Sequence, residues 1–169
     1  MSDDDTQPAP ASGHSKRDRV FLVVVDDSPE RAVALKYASL RAAKSGGRVT
    51  LLRVVEPVEQ SEWAGIGSMM REERHEEAEA LLTGLAAQVR DLTGGLPMLV
   101  IREGKVADEL LALLDEDPRI SILILAAAAD AKNPGPLITA LTGRLAGRMT
   151  VPMTIVPGGM ADEELDRVT

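Results

Sequence analysis

Five short apolar segments alternate with four segments of helical spacing, and this alternation constrains the fold more than any other feature of the chain. The first apolar segment, 20–25, has no polar face, which is typical of a parallel strand that helices cover on both sides. The five predicted strands are 20–25, 49–55, 97–101, 120–126 and 152–156. The predicted helices are 28–46, 68–93, 105–115 and 137–149. The alternation predicts an α/β fold, a doubly wound five-stranded parallel sheet flanked by helices.

The residues after the first strand predict a helix start. Ser28 is a favoured N-cap, Pro29 suits the first helical position, and Glu30 suits the positive end of the helix dipole. In doubly wound sheets, ligands bind outside the carboxyl ends of the strands, where the strand order reverses. We therefore expect a site at that edge, built from four segments: 26–27, 55–56, 103–104 and 126–136.

Charge and composition exclude several classes of function. The 27 Asp and Glu against 19 Lys and Arg give a net charge of −8, which argues against nucleic acid as a partner. Phe21, Tyr37 and Trp63 are the only aromatic residues, too few for a base-stacking platform. The absence of cysteine excludes disulfides and thiolate metal sites.

The ends of the chain differ from its middle. Residues 1–18 are polar with Pro and Gly, which predicts a disordered N-terminal tail, and 19–158 form the folded domain. Residues 159–169 form an acidic tail, which we expect to be solvated with at most a helical turn. The first eighteen residues lack a signal-peptide core, and no apolar run is long enough to span a bilayer. These features predict a cytoplasmic protein without a membrane partner.

Three motifs carry a resemblance to a known family. They are Val-Val-Val-Asp-Asp-Ser at 23–28, Thr-Leu-Leu-Arg-Val-Val-Glu-Pro at 50–57 and Val-Pro-Met-Thr-Ile-Val at 151–156. Over residues 18–158 the chain resembles the universal stress protein family. The resemblance implies the strand order 3-2-1-4-5 of the adenine nucleotide α-hydrolase-like fold. It also implies a homodimer formed through the last strand, from Pro152 to Val156.

The resemblance also implies an adenine nucleotide site. Asp26 matches the family's strand-end Asp, which lies beside the adenine and ribose of ATP, and Val54 matches the Val that contacts adenine. Arg53 stands where a His is common. The implied candidate cofactor-binding residues are Asp26, Val54, Ala126, Ala129, Gly135 and Thr139.

The phosphate loop departs from the family pattern. That pattern is Gly-x-x-Gly, nine residues, then Gly-Ser or Gly-Thr, and it falls on Ala126, Ala129, Thr139 and Ala140. The spacing is kept and the glycines are lost, although glycine lets a backbone approach phosphate oxygens without a Cβ in between. Asp130 adds a negative charge that opposes a triphosphate. The segment Pro134-Gly135-Pro136 stiffens the end of the loop.

The sequence is interpreted as a stress-response or regulatory protein that acts by binding a ligand or partner. It predicts no catalysis, no metal, no required cofactor, and no ATP binding in the family's usual way. One alternative is an ATP-binding member or weak ATP hydrolase with a modified loop, and another is a structural dimer that binds nothing small. His75, among charged residues of the long helix, suits intrahelical ion pairing. Trp63, Met69 and Met70 fit a lid, a partner-binding patch or simple packing equally.

Overall fold

The computed structural model of the chain describes residues 19–57, 64–129 and 132–169. The predicted disordered tail at 1–18, Trp63 and Asp130 lie outside the described residues. The strands are β1 (Val20–Val24), β2 (Arg48–Val55), β3 (Met98–Glu103), β4 (Ile120–Ala127) and β5 (Met153–Pro157). The α-helices are α1 (Arg31–Ser45), α2 (Ala64–Thr93), α3 (Val106–Glu116), α4 (Pro136–Thr142) and α5 (Asp162–Val168). A short 3₁₀ helix, Ala146–Arg148, follows α4.

The sheet has five parallel strands in the order β3-β2-β1-β4-β5, which confirms the predicted fold class and strand order. Strand β1 is central, since Val23 is paired with Leu51 of β2 on one side and with Ile124 of β4 on the other. Strands β2 and β3 follow on one side of β1, and the chain then crosses to the other side of β1 to form β4 and β5. The order therefore reverses between β1 and β4, and the crevice for a ligand lies at their carboxyl ends.

Two hydrophobic layers cover the sheet. All five residues of β1 are buried, and they alternate between the layers. Leu22 packs with Leu110 of α3 on one face, whereas Val23 packs with Ala38 of α1 and Leu82 of α2 on the other. Burial of a strand on both faces explains why its sequence is apolar without alternation.

Helix α1 begins later than its sequence suggests. The Ser28 hydroxyl donates a 2.6 Å hydrogen bond to Asp26 Oδ1, and the helix starts at Arg31 with Glu30 in the N-cap position. The prediction that Ser28 caps the helix was wrong, because the Asp26 carboxylate engages its hydroxyl. Residues 28–30 form a turn instead, in which Arg31 N donates to Ser28 O at 3.4 Å.

The acidic C-terminal segment is a docked helix, not the expected solvated tail. Leu165 of α5 is 1% exposed and joins the core layer that contains α1. Lys36 Nζ lies 2.8 Å from Asp162 Oδ1, and Lys44 Nζ donates to the carbonyl oxygen of Asp166 at 3.1 Å. One buried leucine and two lysines of α1 hold this segment on the domain.

Two other helices differ from their predicted bounds. Helix α2 begins at Ala64 rather than at 68, so it is one turn longer at its N-terminal end than predicted. Helix α4 ends at Thr142, where Gly143 leaves the helical conformation with φ −103° and ψ −111°. Within the described part of the chain, no helix has the length and apolar character needed to cross a membrane.

Candidate functional site

A cavity of about 860 Å³ opens at the carboxyl ends of β1 and β4, where the strand order reverses. Its size is within the usual range for small-molecule pockets. Val24, Leu125 and Ile138 belong to its apolar lining. The charged residues that line it are Asp26, Glu30, Arg31, Glu56, Lys105 and Arg144.

Asp26 is fixed at the mouth of this cavity. Its Oδ1 accepts hydrogen bonds from the backbone N of Ser28 at 3.0 Å and from the Ser28 hydroxyl at 2.6 Å. The guanidinium of Arg31 donates to the Asp26 carbonyl oxygen at 3.0 Å. Both side-chain bonds go to one carboxylate oxygen, so the geometry allows Oδ2 to accept a hydroxyl of a ligand.

A second cavity of about 560 Å³ lies beside the first, and Asp26, Val24 and Glu56 line both. Val54 of β2 lines only the smaller one, together with Ala78 and Leu81 of α2. The structure therefore brings Val54 and Asp26 to one cavity.

Arg53 joins the ends of β1 and β2 in the smaller cavity. It donates to the Val25 carbonyl oxygen at 3.1 Å and to both carboxylate oxygens of Asp27 at 3.0 Å. Its Nε is buried and has no hydrogen-bond partner among the described residues. Arg53 thus holds the ends of two neighbouring strands together. This role could not be inferred from the resemblance, in which a His is common at this position.

The loop after β4 only partly matches the candidate residues. Ala126 and Gly135 line the larger cavity, whereas Ala129 and Thr139 are not part of its lining. The Thr139 hydroxyl donates to the Gly135 carbonyl oxygen at 2.9 Å, so it is engaged within its own helix.

One end of this loop has a glycine with a positive φ angle. Gly135 has φ +113°, a conformation that favours glycine, and its N donates to Asn133 Oδ1 at 3.0 Å. Within the described residues only glycines have positive φ, so Ala126 and Ala129 do not adopt the left-handed conformation. The alanines therefore shape a different loop from the one that glycines would allow.

Glu30 reaches this loop from the other side of the crevice. Ala129 N donates a 3.2 Å hydrogen bond to Glu30 Oε1. The aliphatic part of Glu30 lies against Gly158, and a Cβ at Gly158 would collide with it. The sequence gives Glu30 only a helix-dipole role, because its partner is 99 positions away and the fold alone brings the two together.

Other lining residues also lie outside the predicted segments, among them Arg31, Lys105, Val106 and Arg144. Lys105 and Val106 directly follow the predicted strand-end segment 103–104, so that segment was the signal that could have found them. Arg144 lies beyond α4, at a position that the predicted helix 137–149 would have taken up.

The remaining candidate residues lie away from the cavities. His75 Nε2 lies 3.4 Å from Glu79 Oε1 on the exposed side of α2, which confirms the predicted intrahelical pairing. Met69 is 71% exposed and Met70 37% exposed, and neither lines the two cavities. Among residues 19–57, 64–129 and 132–169, no group of three His, Asp or Glu could hold a metal ion.

Comparisons with solved structures show the same fold. Universal stress protein UspA from Lactobacillus plantarum is 16% identical, with a TM-score of 0.70 over 83% of this chain and 98% of that one. A universal stress protein in complex with cAMP is 17% identical, with a TM-score of 0.61 over 83% and 98%. A universal stress protein from Archaeoglobus fulgidus in complex with dAMP is 15% identical, with a TM-score of 0.56 over 82% and 97%.

A match in sequence covers the five strands and the helices between them, and it leaves out α5. No curated protein matches the chain. The sequence model of the Universal stress protein family matches residues 19–157, from β1 to the end of β5. The chain therefore belongs to the universal stress protein family.

Proposed function

We propose that this protein is a regulatory member of the family that binds a small adenine-bearing ligand in the cavity between β1 and β4 and in the smaller cavity beside it. The observation that carries the proposal is the position of this cavity, about 860 Å³, at the reversal of strand order, with Asp26 at its mouth. Two structures of the same fold are complexes with cAMP and dAMP, which supports an adenine ligand. We further propose that the protein acts in the cytoplasm, by binding and not by catalysis.

The residues suit an adenine nucleoside. The neighbouring cavity offers Val54, a buried aliphatic surface on which an adenine ring would rest without aromatic stacking. Asp26 would accept a hydrogen bond from a ribose hydroxyl through Oδ2. The two groups lie on neighbouring strands, β1 and β2, whose ends Arg53 holds together.

The phosphate loop supports a binding mode other than the family's usual one for ATP. Ala126 and Ala129 place Cβ atoms where glycines would leave the backbone open to phosphate. The N of Ala129 already donates to Glu30. Gly135 and Thr139 stay in the proposal as residues that shape the end of the loop through their mutual hydrogen bond.

Calorimetric titration of the full chain with adenosine, AMP and Mg-ATP tests the adenine ligand. We expect adenosine to bind, and Asp26→Asn to weaken its binding at least tenfold because the ribose acceptor is lost. Asparagine keeps an acceptor for the Ser28 bonds, so the turn is preserved. Asp115→Asn, an exposed carboxylate on α3, is the matched control and should change nothing. Absence of binding by all three compounds up to about 1 mM would overturn the proposal.

A second candidate is an ATP-binding protein or weak ATP hydrolase. The observation that favours it is the set of three cations, Arg31, Lys105 and Arg144, that line the cavity. A phosphate-release assay separates it from simple binding. Turnover of Mg-ATP that is lost in Asp26→Ala would support this second candidate over the first.

A further inference from the structure

The Glu30 carboxylate lies beside the backbone of the loop after β4. Its Oε1 accepts the hydrogen bond from Ala129 N at 3.2 Å, and Glu30 lines the large cavity. Ala129 occupies the place of the second glycine in the phosphate-loop pattern, so its N–H is a donor that a phosphate oxygen would need. Glu30 therefore occupies a backbone donor at the edge of the cavity, which an anionic ligand group bound at this loop could otherwise use.

The end of strand β5 accommodates this arrangement. Gly158 N donates to the Ala127 carbonyl oxygen at 3.0 Å, which ties the segment after β5 to the end of β4. A Cβ at Gly158 would collide with that oxygen and with Cγ of Glu30. Glu30 therefore packs into a gap that exists because residue 158 has no side chain, which is a second contact independent of the hydrogen bond.

In the part of the chain that the structure describes, Glu30 is not part of an ion pair, although the cations Arg31, Lys105 and Arg144 line the same cavity. None of the ion pairs within the described residues includes Glu30. The adjacent Arg31 directs its guanidinium to the Asp26 carbonyl oxygen. A phosphate group at the Ala129 N–H would meet this carboxylate at close range, and two negative charges at such a distance repel each other.

We propose that Glu30 takes the place of a phosphate group in this site, so that the cavity selects an adenine nucleoside without phosphates over AMP and ATP. This inference rests on the adenine ligand of the proposed function. It assigns to Glu30 the role of a specificity-determining residue, which excludes phosphate by charge and by occupying its donor. The site would then bind a nucleoside and not the corresponding nucleotide.

The test compares adenosine, AMP and ATP in calorimetric titrations of the wild-type full chain, Glu30→Gln and Glu76→Gln. We expect the wild type to bind adenosine at least tenfold more tightly than ATP. Glutamine keeps the shape and the acceptor of Glu30 without its charge, so Glu30→Gln should raise the affinity for ATP relative to that for adenosine at least tenfold. Glu76→Gln removes the same charge from the exposed side of α2 and should alter neither ligand.

The outcomes separate the two proposals. If neither the wild type nor Glu30→Gln binds any adenine compound, the proposed function itself fails. If adenosine binds but the wild type binds ATP equally well, or Glu30→Gln leaves the ATP-to-adenosine ratio unchanged, the role of Glu30 is overturned while the proposed function stands. The wild-type comparison needs no variant, so equal binding of adenosine and ATP would overturn the role of Glu30 even if Glu30→Gln does not fold.

Discussion

At the scale of single residues, Gly158 has no room for a side chain. A Cβ there would collide with the Ala127 carbonyl oxygen, a backbone atom that cannot move aside. Gly158→Ala should therefore lower the free energy of unfolding by about 1–3 kcal/mol, as overpacked sites do. Urea denaturation measures this loss. Gly159→Ala is the matched control, because its Cβ would meet no atom within 4 Å. Equal stability of the two variants would contradict the crowding.

Asp117 gives the protein an acid-sensitive contact between α3 and β4. Its carboxylate accepts hydrogen bonds from the Arg119 side chain at 2.8 Å and from Arg119 N at 3.1 Å. The bond to the Arg119 side chain lowers the pKa of Asp117. Because the folded pKa lies below the unfolded value of about 3.9, the contact stabilises the fold above that pH. This stabilisation is lost as the pH falls through the lower, folded pKa.

Asp117→Asn should therefore reduce the loss of stability between neutral pH and about pH 3. Asparagine keeps the acceptor for Arg119 N, so the turn itself remains. Urea unfolding at both pH values measures the difference, with Asp115→Asn at the same end of α3 as the baseline for removing one charge. If acid lowered the free energy of unfolding of Asp117→Asn as much as that of the wild type, the contact between Asp117 and Arg119 would not be the source of acid sensitivity.

Single residues of the site were predictable only where chain position decides their place. Asp26 follows a buried strand, and every parallel strand of a sheet ends at the same edge, so its location follows from the pattern. Glu30 was not predictable, because its hydrogen bond to Ala129 joins residues 99 positions apart. Ser28 shows the same limit at short range, since either Asp26 or the helix end could have engaged its hydroxyl.

At the scale of elements, α5 is the unexpected one. Leu165 is 1% exposed against α1, so Leu165→Ala should lower the free energy of unfolding by about 2–4 kcal/mol through lost burial and a cavity. Val168→Ala is the control on the same helix, since Val168 is 47% exposed and should change stability by less than about 0.5 kcal/mol. Chemical denaturation compares the two. If Leu165→Ala lost as little stability as Val168→Ala, the burial of Leu165 would add little to the stability of the fold.

The other elements show what periodicity can predict. The five strands were predicted within a few residues because each is a mainly apolar run with few polar residues in it. Helix α5 was not predicted because a helix of seven residues with one buried leucine has too few apolar positions to show a helical period. Helix α4 is shorter than predicted because Gly143 ends it, although the leucine spacing continues to Leu145.

At the scale of the whole molecule, the position of the cavity was predictable and its charge was not. Strict alternation of strands and helices requires a parallel sheet, and the reversal of order beside β1 then places the crevice. The cavity's charged lining comes from separate segments, among them Arg31, Lys105 and Arg144. No sequence pattern shows that such distant positions lie together, so the charge of the cavity lining can be seen only in the fold.

The sheet leaves two edge strands, β3 and β5, each paired with a single neighbour. We propose, following the family resemblance, that two copies of the chain associate through β5, where Ile155 is 39% exposed. In a twofold dimer the same strand meets its own copy, so Ile155→Lys would bring two positive charges together across the interface. We expect the wild type to sediment as a dimer and Ile155→Lys as a monomer in analytical ultracentrifugation.

The opposite edge provides the matched control. Leu99 of β3 is 41% exposed, so Leu99→Lys adds the same charge to an edge of similar exposure. Leu99→Lys should stay dimeric if β5 forms the contact, because its lysines lie on the far side of each sheet. A monomeric wild type, or dissociation by Leu99→Lys alone, would overturn the β5 interface. Since β5 is bound only to β4, its free edge has the backbone groups that a second β5 could pair with, whichever ligand the cavity holds.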